Sequence, residues 1–334
     1  MLSPCNAWLV GRYMLSSGVT QTLIDHYNGT AWKIVPSPDP AGPLRGHYLT
    51  GVASVSAHDI WAVGFYDASG TSGTRTLIER WNGTSWKVIK SPSVGTGNNF
   101  LAGVTTTSAG NAWAVGSYVS GAAIKTLVEH WNGTSWKVIK SPNPGGPAGD
   151  SSLTGVAATS AHNAWAVGKY SSGTLDRALA VHWNGTAWKV IKGLDLGAGS
   201  HILEGVAATS AGNAWAVGLS AQGAASQTLV EHWNGTSWKR VKSANPGGTA
   251  HSNALTGVVV SSKSDAWAVG LYSSGTIDRT LVEHWNGTSW NPVKSPNPGG
   301  SAKSSFLISV DARPAGNVWA VGFSGSHALA LHWG

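Results

Sequence analysis

The sequence predicts an all-β fold, a single β-propeller of four-stranded antiparallel blades, and three observations predict it. The string Ala-Trp-Ala-Val-Gly or a close variant places Trp at 8, 61, 113, 165, 215, 267 and 319, with gaps of 53, 52, 52, 50, 52 and 52 residues. A second string, Trp-Asn-Gly-Thr-Ser-Trp or a variant, begins at Tyr27, Trp81, Trp131, Trp183, Trp233 and Trp285, and the chain reaches Trp333 where a seventh copy would begin. No segment carries a helical apolar period, whereas short β-branched runs alternate with Gly-, Asn- and Pro-rich breaks. A repeat of about 52 residues built from four short strands has the size of a propeller blade.

The third repeat sets out the elements in order. Leu101 to Thr107 is short and β-branched, and reads as strand A. Ser108-Ala109-Gly110-Asn111 makes a turn, Ala112 to Gly116 is strand B, and a Gly/Ser-rich loop leads to strand C, Thr126 to Trp131. Asn132-Gly133 signals a two-residue hairpin of type I′. Ser135 to Lys140 is strand D, and Ser141-Pro142-Asn143-Pro144-Gly145-Gly146 breaks the sheet before the next strand A. One such sheet cannot bury two apolar faces alone, but stacking between neighbours covers both. The Trp side chains are expected to supply that packing, each indole N–H requiring an acceptor.

There are seven B and seven C strands but six A and six D strands, so seven blades, the first and last incomplete, use all 26 over residues 1–334. The alternative is a six-bladed ring in which Leu307 to Ala312 completes the N-terminal sheet. It would leave Val318 to Trp333 as a surplus apolar hairpin.

Composition narrows the class. Charged residues are 11% of the chain, about half the usual share, which excludes a solvated disordered chain. Cys5 is the single cysteine, so a disulfide scaffold is excluded. No apolar run approaches the roughly 18 residues of a membrane span. The first residues show neither a basic n-region nor an apolar h-region, so no secretory leader is read. Richness in Gly, Ser, Thr and Asn still suits an extracellular or cell-surface setting.

In the fourth repeat, Leu153 to Thr159, Trp165-Ala166-Val167-Gly168, Trp183-Asn184-Gly185 and Trp188 run in a fixed order: inner apolar strand, aromatic-Val-Gly strand, strand ending in an aromatic and a turn, outer Trp strand. This grammar resembles the kelch family and its galactose-oxidase-like members. The Trp-Asn-Gly-Thr-Ser-Trp wording is similar to bacterial repeat proteins of that type. The family's double Gly is single here, and the Asp after the third-strand aromatic is Asn. The resemblance implies a propeller over nearly the whole chain. Galactose-oxidase-like enzymes build a copper site from Tyr and His with a Cys–Tyr crosslink. Cys5 stands apart at the N-terminus, so neither a metal nor another cofactor is expected.

Strands alternate in direction, so A–B and C–D turns share one rim and B–C and D–A loops the other. The second rim carries the segments read as long and variable: Phe65 to Arg75, Lys169 to Arg177, Ser91 to Asn99 and Gly193 to His201. Binding residues concentrate on loops held by a rigid scaffold. Tyr13, Tyr66, Tyr118, Tyr170 and Tyr272 recur five residues after the strand-B Trp, interrupted by Ser220 and Ser324. Such a Tyr set suits stacking on sugar faces at several weak sites joined by avidity; its competing role is to cap packing between blades. His47, His201 and His251 fall in D–A loops. Glu204 replaces the residues seen at Thr50, Ala102, Thr154, Thr256 and Ile308, and these four are the candidates at the channel mouth. No second carboxylate accompanies Glu204 to form a hydrolytic pair.

Other recurring residues read as structural. His26, His130, His182, His232, His284 and His332 fall on different blades, with Arg80 in the same slot, which suits polar packing better than metal ligation. Asn28, Asn82, Asn132, Asn184, Asn234 and Asn286 open sequons that the hairpin explains. Lys33, Lys87, Lys137, Lys189 and Lys239, with Lys90, Lys140, Lys192, Lys242 and Lys294, hold nearly half of the 22 basic residues on strand D. There they guard outer edges and are expected to pair with Asp25, Glu79, Glu129, Glu231 and Glu283. No nucleic-acid partner is expected from the net charge of +7. The sequence therefore predicts a non-enzymatic binding or interaction propeller, carbohydrate-binding through the long-loop rim, with glycans or another protein as partners. The rivals are a lyase or hydrolase with one site at the channel mouth, and a structural protein–protein interaction module.

Overall fold

A computed structural model describes residues 3, 5–40, 42, 45–68, 73–191, 197–313 and 317–333. Residues 69–72 of the segment read as a long loop after Phe65, and residues 192–196, which include Lys192 and the start of the segment Gly193 to His201, lie outside the described residues. Among the described residues there are 26 strands and no helix. The first sheet holds β1 (Ala7–Met14), β2 (Thr20–Tyr27) and β3 (Trp32–Ile34), and the second β4 (His47–Ser56), β5 (Asp59–Asp67), β6 (Thr74–Trp81) and β7 (Trp86–Val88). The third holds β8 (Asn99–Ser108), β9 (Asn111–Ser120), β10 (Ala123–Trp131) and β11 (Trp136–Val138); the fourth β12 (Ser151–Ser160), β13 (Asn163–Ser172), β14 (Leu175–Trp183) and β15 (Trp188–Val190). The fifth holds β16 (Ser200–Ser210), β17 (Asn213–Ala221), β18 (Ser226–Trp233) and β19 (Trp238–Arg240); the sixth β20 (Asn253–Ser262), β21 (Asp265–Ser274), β22 (Ile277–Trp285) and β23 (Trp290–Pro292). The last holds β24 (Ser305–Arg313), β25 (Asn317–Ser324) and β26 (His327–Trp333). This is an all-β propeller of seven antiparallel blades, the first and last three-stranded. The chain divides into two compact units, Met1–His162 with Trp183–Lys189, and Asn163–His182 with Val190–Gly334.

The seams between blades are made of indoles. In the first unit Trp61 of strand B lies 4.9 Å from Trp131 and meets Trp136 edge to face at 5.1 Å, both on the next blade. Trp8 meets Trp81 and Trp86 in the same way, and Trp113 meets Trp183 and Trp188. In the second unit Trp165 meets Trp233 and Trp238, and Trp215 meets Trp285 and Trp290. The aliphatic core follows these seams: Trp61, Val63 and Ile78 of one blade pack with Leu101, Ala112, Ala114 and Leu127 of the next. Pleat alternation explains this, because residues 61 and 63 point to one face while Ile60 and Ala62 join the preceding seam.

Local chemistry differs from the sequence reading in three places. The Asn-Gly hairpin is a four-residue loop: Trp131 pairs with Trp136, and the Asn132 Oδ1 accepts from the N–H groups of Thr134 and Ser135, 3.0 Å each, and from the Thr134 hydroxyl at 2.8 Å. This is an Asx turn, with Gly133 at φ +95°. Strand A carries a bulge, at Leu101/Gly103 in β8 and at the matching places in β4, β16, β20 and β24. There strand B must be Gly, because a Cβ on Gly116 would stand 2.0 Å from the Phe100 carbonyl oxygen. Indole N–H satisfaction also splits by strand. Trp131 of strand C donates to the Ala109 carbonyl at 3.0 Å, and Trp81, Trp183, Trp233 and Trp285 do the same in their blades. The strand-B and strand-D indoles Trp61, Trp86, Trp113 and Trp136 have no such acceptor and are edged by neighbouring rings instead.

Truncation of Trp113 to Ala empties a seam on both sides and is expected to cost about 3–5 kcal/mol in urea unfolding. A loss below about 1 kcal/mol would mean the ring is not packed between blades.

Candidate functional site

The end of the blades that carries B–C and D–A connections is built as a rigid surface. The B–C connections read as long loops are mostly tight. β9 and β10 are joined by two residues, as are β13 and β14, β21 and β22, and β25 and β26. Gly121, Gly173, Gly275 and Gly325 supply the positive φ of those turns. The ladder absorbs the Gly/Ser-rich stretches because nothing in them blocks pairing. The D–A loops are the long ones, and a basic or amide side chain from strand C clamps them. Lys125 Nζ donates to the carbonyls of Gly146, Pro147 and Gly149 at 2.6–3.0 Å; Arg75 reaches Gly97 at 3.1 Å and Arg177 reaches Gly197 at 2.8 Å. Gln227 and Arg279 repeat the contact at Gly248 and Gly300. From the first position of strand A, Asn99 and Asn253 tie three backbone groups of the loop each.

The five tyrosines sit on strands rather than at loop starts, since strand B runs past its Gly to residue 120 in the third blade. Tyr66, Tyr118 and Tyr272 are half-buried against the seam clusters. Tyr170 is also half-buried, whereas Tyr13 is 47% exposed. The channel-mouth candidates do not share one setting. His47 and His201 are buried near the start of strand A, in the slot that Asn99, Ser151, Asn253 and Ser305 fill elsewhere. His47 Nδ1 lies 3.2 Å from the Gln21 amide oxygen, and burial lowers its pKa against the pull of Asp39. Burial also lowers the pKa of His201, against the backbone of Gly197 and with the help of Arg177 and Arg240. His251 lies outside the strands, half-buried, its carbonyl accepting from Asn253 Nδ2 at 2.8 Å. Glu204 occupies the bulge of β16, half-buried, with its pKa raised by burial and opposed by Lys169. Lys169 in turn pairs with Asp176 at 2.8 Å. In the sixth blade the same bulge position is Thr256, which bridges to the Leu307 carbonyl of the next blade at 2.8 Å. Among the described residues no cluster of three or more His, Cys, Asp or Glu is placed to hold a metal ion.

Aligning the repeats exposes a position that the tyrosine count overlooks. The residue after the strand-B Gly is Arg12, Phe65, Ser117, Lys169, Leu219, Leu271 or Phe323, changing from blade to blade while the flanking Trp and Gly persist. In the ladder it pairs with the second position of its own blade's strand A, as Phe65 with Tyr48, and Arg12 and Phe65 also reach that position in the next blade. In the first unit this yields one aromatic and cationic cluster: Arg12 stands 5.3 Å over the Tyr48 ring, Tyr48 stacks on Phe65 at 4.6 Å, and Phe65 meets Phe100 edge to face at 4.8 Å. Tyr48, Phe65 and Phe100 are half-exposed, and Arg12, Tyr13, Met14 and Leu15 are exposed beside them. Variation inside a repeat was the available signal.

Two recurring polar sets are absorbed by packing. Each strand-C His rests on a strand-B Trp at 4.1–4.6 Å, and its Nε2 meets an Asn or Asp side chain at the start of strand B, as His130 meets Asn111 at 2.8 Å. Arg80 keeps the arrangement, 4.7 Å over Trp61 and paired with Asp59 at 2.7 Å. Among the described residues the strand-C acids form no ion pair with the strand-D lysines. Glu129 lies opposite Val138 while Lys137 lies opposite His130, so the pleat sends acid and lysine to different faces. Glu79, Glu129, Glu231 and Glu283 are buried in seams, and burial raises their pKa values to about 8, 8, 7 and 7. Ser37 donates to both oxygens of Glu79, Ser91 to Glu129 at 2.9 Å, and the Ala244 N–H to Glu283 at 3.0 Å. The lysines described on strand D are exposed at the outer edge, where the edge-guarding role places them.

No protein-family model matches the chain, and no curated protein matches it by sequence. Among solved structures it is similar to YCF48 bound to a D1 peptide, with 11% identity over 99% of this chain and 89% of that one and a TM-score of 0.58. It is similar to an ulvan lyase bound to -[GlcA(1-4)Rha3S]-, with 10% identity over 99% and 91% and a TM-score of 0.57. A lectin of Aleuria aurantia in complex with Fucalpha1-6GlcNAc aligns with 13% identity over 85% and 91% and a TM-score of 0.50. At these identities the likeness carries the fold and not the ligand.

The buried glutamates fix a pH dependence. Their folded pKa values exceed the unfolded value, so the stability held by the protonated form is present below pH 4.5 and lost as pH rises through about 8. The lowered histidines act the other way, only below about pH 6.5. Between pH 6.5 and 8 the glutamates act alone, and each pKa unit is worth about 1.4 kcal/mol, or about 2 kcal/mol per glutamate at Glu79 and Glu129 over that window. Thermal melts are expected to drop steadily from pH 6.5 to 8.5, and Glu129→Gln to flatten the drop. A flat profile for the unaltered chain would contradict the buried acids.

Proposed function

We propose that this chain is a binding propeller that takes a glycan at the B–C/D–A end of its first three blades. The observation that carries this reading is the Arg12–Tyr48–Phe65–Phe100 cluster. It is the place in the first unit where a repeated position turns aromatic and cationic while staying accessible. Aromatic edges and an arginine beside Gly- and Ser-rich loops match the apolar faces and hydroxyls of a sugar, and a guanidinium favours one carrying carboxylate or sulfate. Tyr13, the most exposed of the recurring tyrosines, adds a ring to this surface. Tyr66 and Tyr118 pack into the seams of the same unit, and Tyr272 into a seam of the second unit. Loops clamped at the Gly97 and Gly146 carbonyls hold the surface in place, so little ordering is needed on binding. The saccharide-bound lectin and lyase among the structural neighbours support the ligand class, and the kelch-like grammar supports only the scaffold.

A second reading rests on Glu204. A half-buried carboxyl with a raised pKa beside Lys169 has the character of a proton donor, which suits a lyase or hydrolase acting in the second unit.

A glycan array with the full chain tests both. The binding reading expects retention of anionic glycans, with Arg12→Ala weakening the best of them about fivefold, the worth of one exposed ion pair. No retained glycan, or full affinity in Arg12→Ala, overturns it. Cleavage of a retained glycan that Glu204→Gln abolishes would establish the second reading.

A further inference from the structure

The aromatic cluster of the first unit has a polar end, set by how β4 and β5 meet. Beyond the pair Tyr48 and Phe65 the ladder runs on, with the Asp67 N–H donating to the Gly46 carbonyl at 2.9 Å. Pleat alternation then puts Tyr48, Phe65, Gly46 and Asp67 on one face. A Cβ on Gly46 would stand 2.6 Å from Asp67 Oδ2 and 2.9 Å from the Tyr48 hydroxyl oxygen, so both oxygens border the space that the missing side chain leaves. Asp67 is half-buried and forms no ion pair among the described residues.

The other blades use these two positions differently. Asn98, Asp150, Ser252 and Ser304 stand where Gly46 does, and the side chain of each accepts from a strand-C N–H of the preceding blade, at 2.8–3.4 Å. The residue six after the strand-B Trp is Asp67 here and Met14, Val119, Ser171, Ala221, Ser273 or Gly325 elsewhere, so Asp67 is the one acid in the series. The backbone at Gly46 is not left-handed, so conformation does not demand glycine there. The space between the two oxygens does.

We propose that Asp67 and the Tyr48 hydroxyl read two neighbouring hydroxyls of the sugar whose acidic group Arg12 takes, so that the preferred unit is an unsulfated uronate with a free vicinal diol. This rests on the glycan reading and narrows it. The two ends of the cluster carry opposite charge. The guanidinium, 5.3 Å over the Tyr48 ring, attracts a carboxylate, while the Asp67 carboxylate accepts from hydroxyls and repels a second anion. Tyr48 stacked on Phe65 at 4.6 Å supplies the apolar surface beside them. A uronate carries its charge off the ring and keeps its ring hydroxyls, whereas a sulfate ester consumes one. Sulfation at the diol removes a donor and sets a charge against Asp67, a selection made by an unfavourable contact. Loss of the diol leaves the two oxygens without their donors.

The test uses the full chain and three forms of one glucuronate-containing tetrasaccharide: unmodified, methylated at the uronate 2- and 3-hydroxyls, and persulfated. Calorimetry is expected to place the unmodified form about tenfold or more above the other two, the worth of a hydrogen bond to a charged group. Asp67→Asn keeps the shape and removes the charge, and is expected to raise the affinity for the persulfated form about tenfold. Gly46→Ala fills the space while leaving Arg12, Tyr48 and Asp67 in the chain, and is expected to weaken the unmodified form about tenfold. A preference of the unaltered chain for the persulfated form, an unchanged ranking in Asp67→Asn, or full affinity in Gly46→Ala overturns the assignment and leaves the glycan reading standing. Binding of none of the three forms overturns both.

Discussion

A strand-B indole that cannot be buried by its own sheet sets the terms for the rest of this molecule. Trp61 reaches near-zero exposure because Trp131 and Trp136 of the next blade close over it, and the same happens at Trp113, Trp165 and Trp215. Stability therefore resides in the seams, and a single blade has little of its own, as in other repeat folds. The strand-C histidine follows from the same demand. It fills the space over the indole face, and an Asn or Asp at the turn fixes its ring. The exchange of that histidine for Arg80, with Asp59 in place of Asn, preserves both contacts, the cover over the indole face and the pairing with the turn side chain.

Polar groups enter these seams only where a partner meets them. The buried glutamates take their hydrogen bonds from the loop that leaves the preceding blade, at Ser37, Ser91 and Ala244, so they join loop to seam. Strand-C bases do the same at the loop carbonyls. Both devices make the D–A loops part of the scaffold. On the proposed binding reading, recognition falls to the few positions the scaffold leaves free, above all the residue after the strand-B Gly. That residue changes from Arg12 to Phe323 along the chain without disturbing the indoles.

The blades were legible because the Trp strings recur at a near-constant spacing, and the strand count along the chain follows from them. The bulge in strand A was not legible: one unpaired residue between Leu101 and Gly103 leaves no mark on the run from Leu101 to Thr107. The B–C hairpins were misread because Gly and Ser signal loops, although Gly121 and Gly173 only supply two-residue turns. The burial of Glu129 was hidden because an acid beside a lysine reads as an ion pair until the register separates their faces. The aromatic cluster was missed for a different reason. Repeats draw attention to what recurs, and Arg12, Phe65 and Phe100 stand where the repeat varies.

A double-mutant cycle between Trp61 and Trp136, each truncated to Ala alone and together, tests the seam account most directly. It predicts a coupling of about 0.5–1.5 kcal/mol, the range for edge-to-face aromatic pairs, and near-additivity for Trp61 with Trp86, which packs on Trp8 in the other seam. Additivity in both pairs would contradict it.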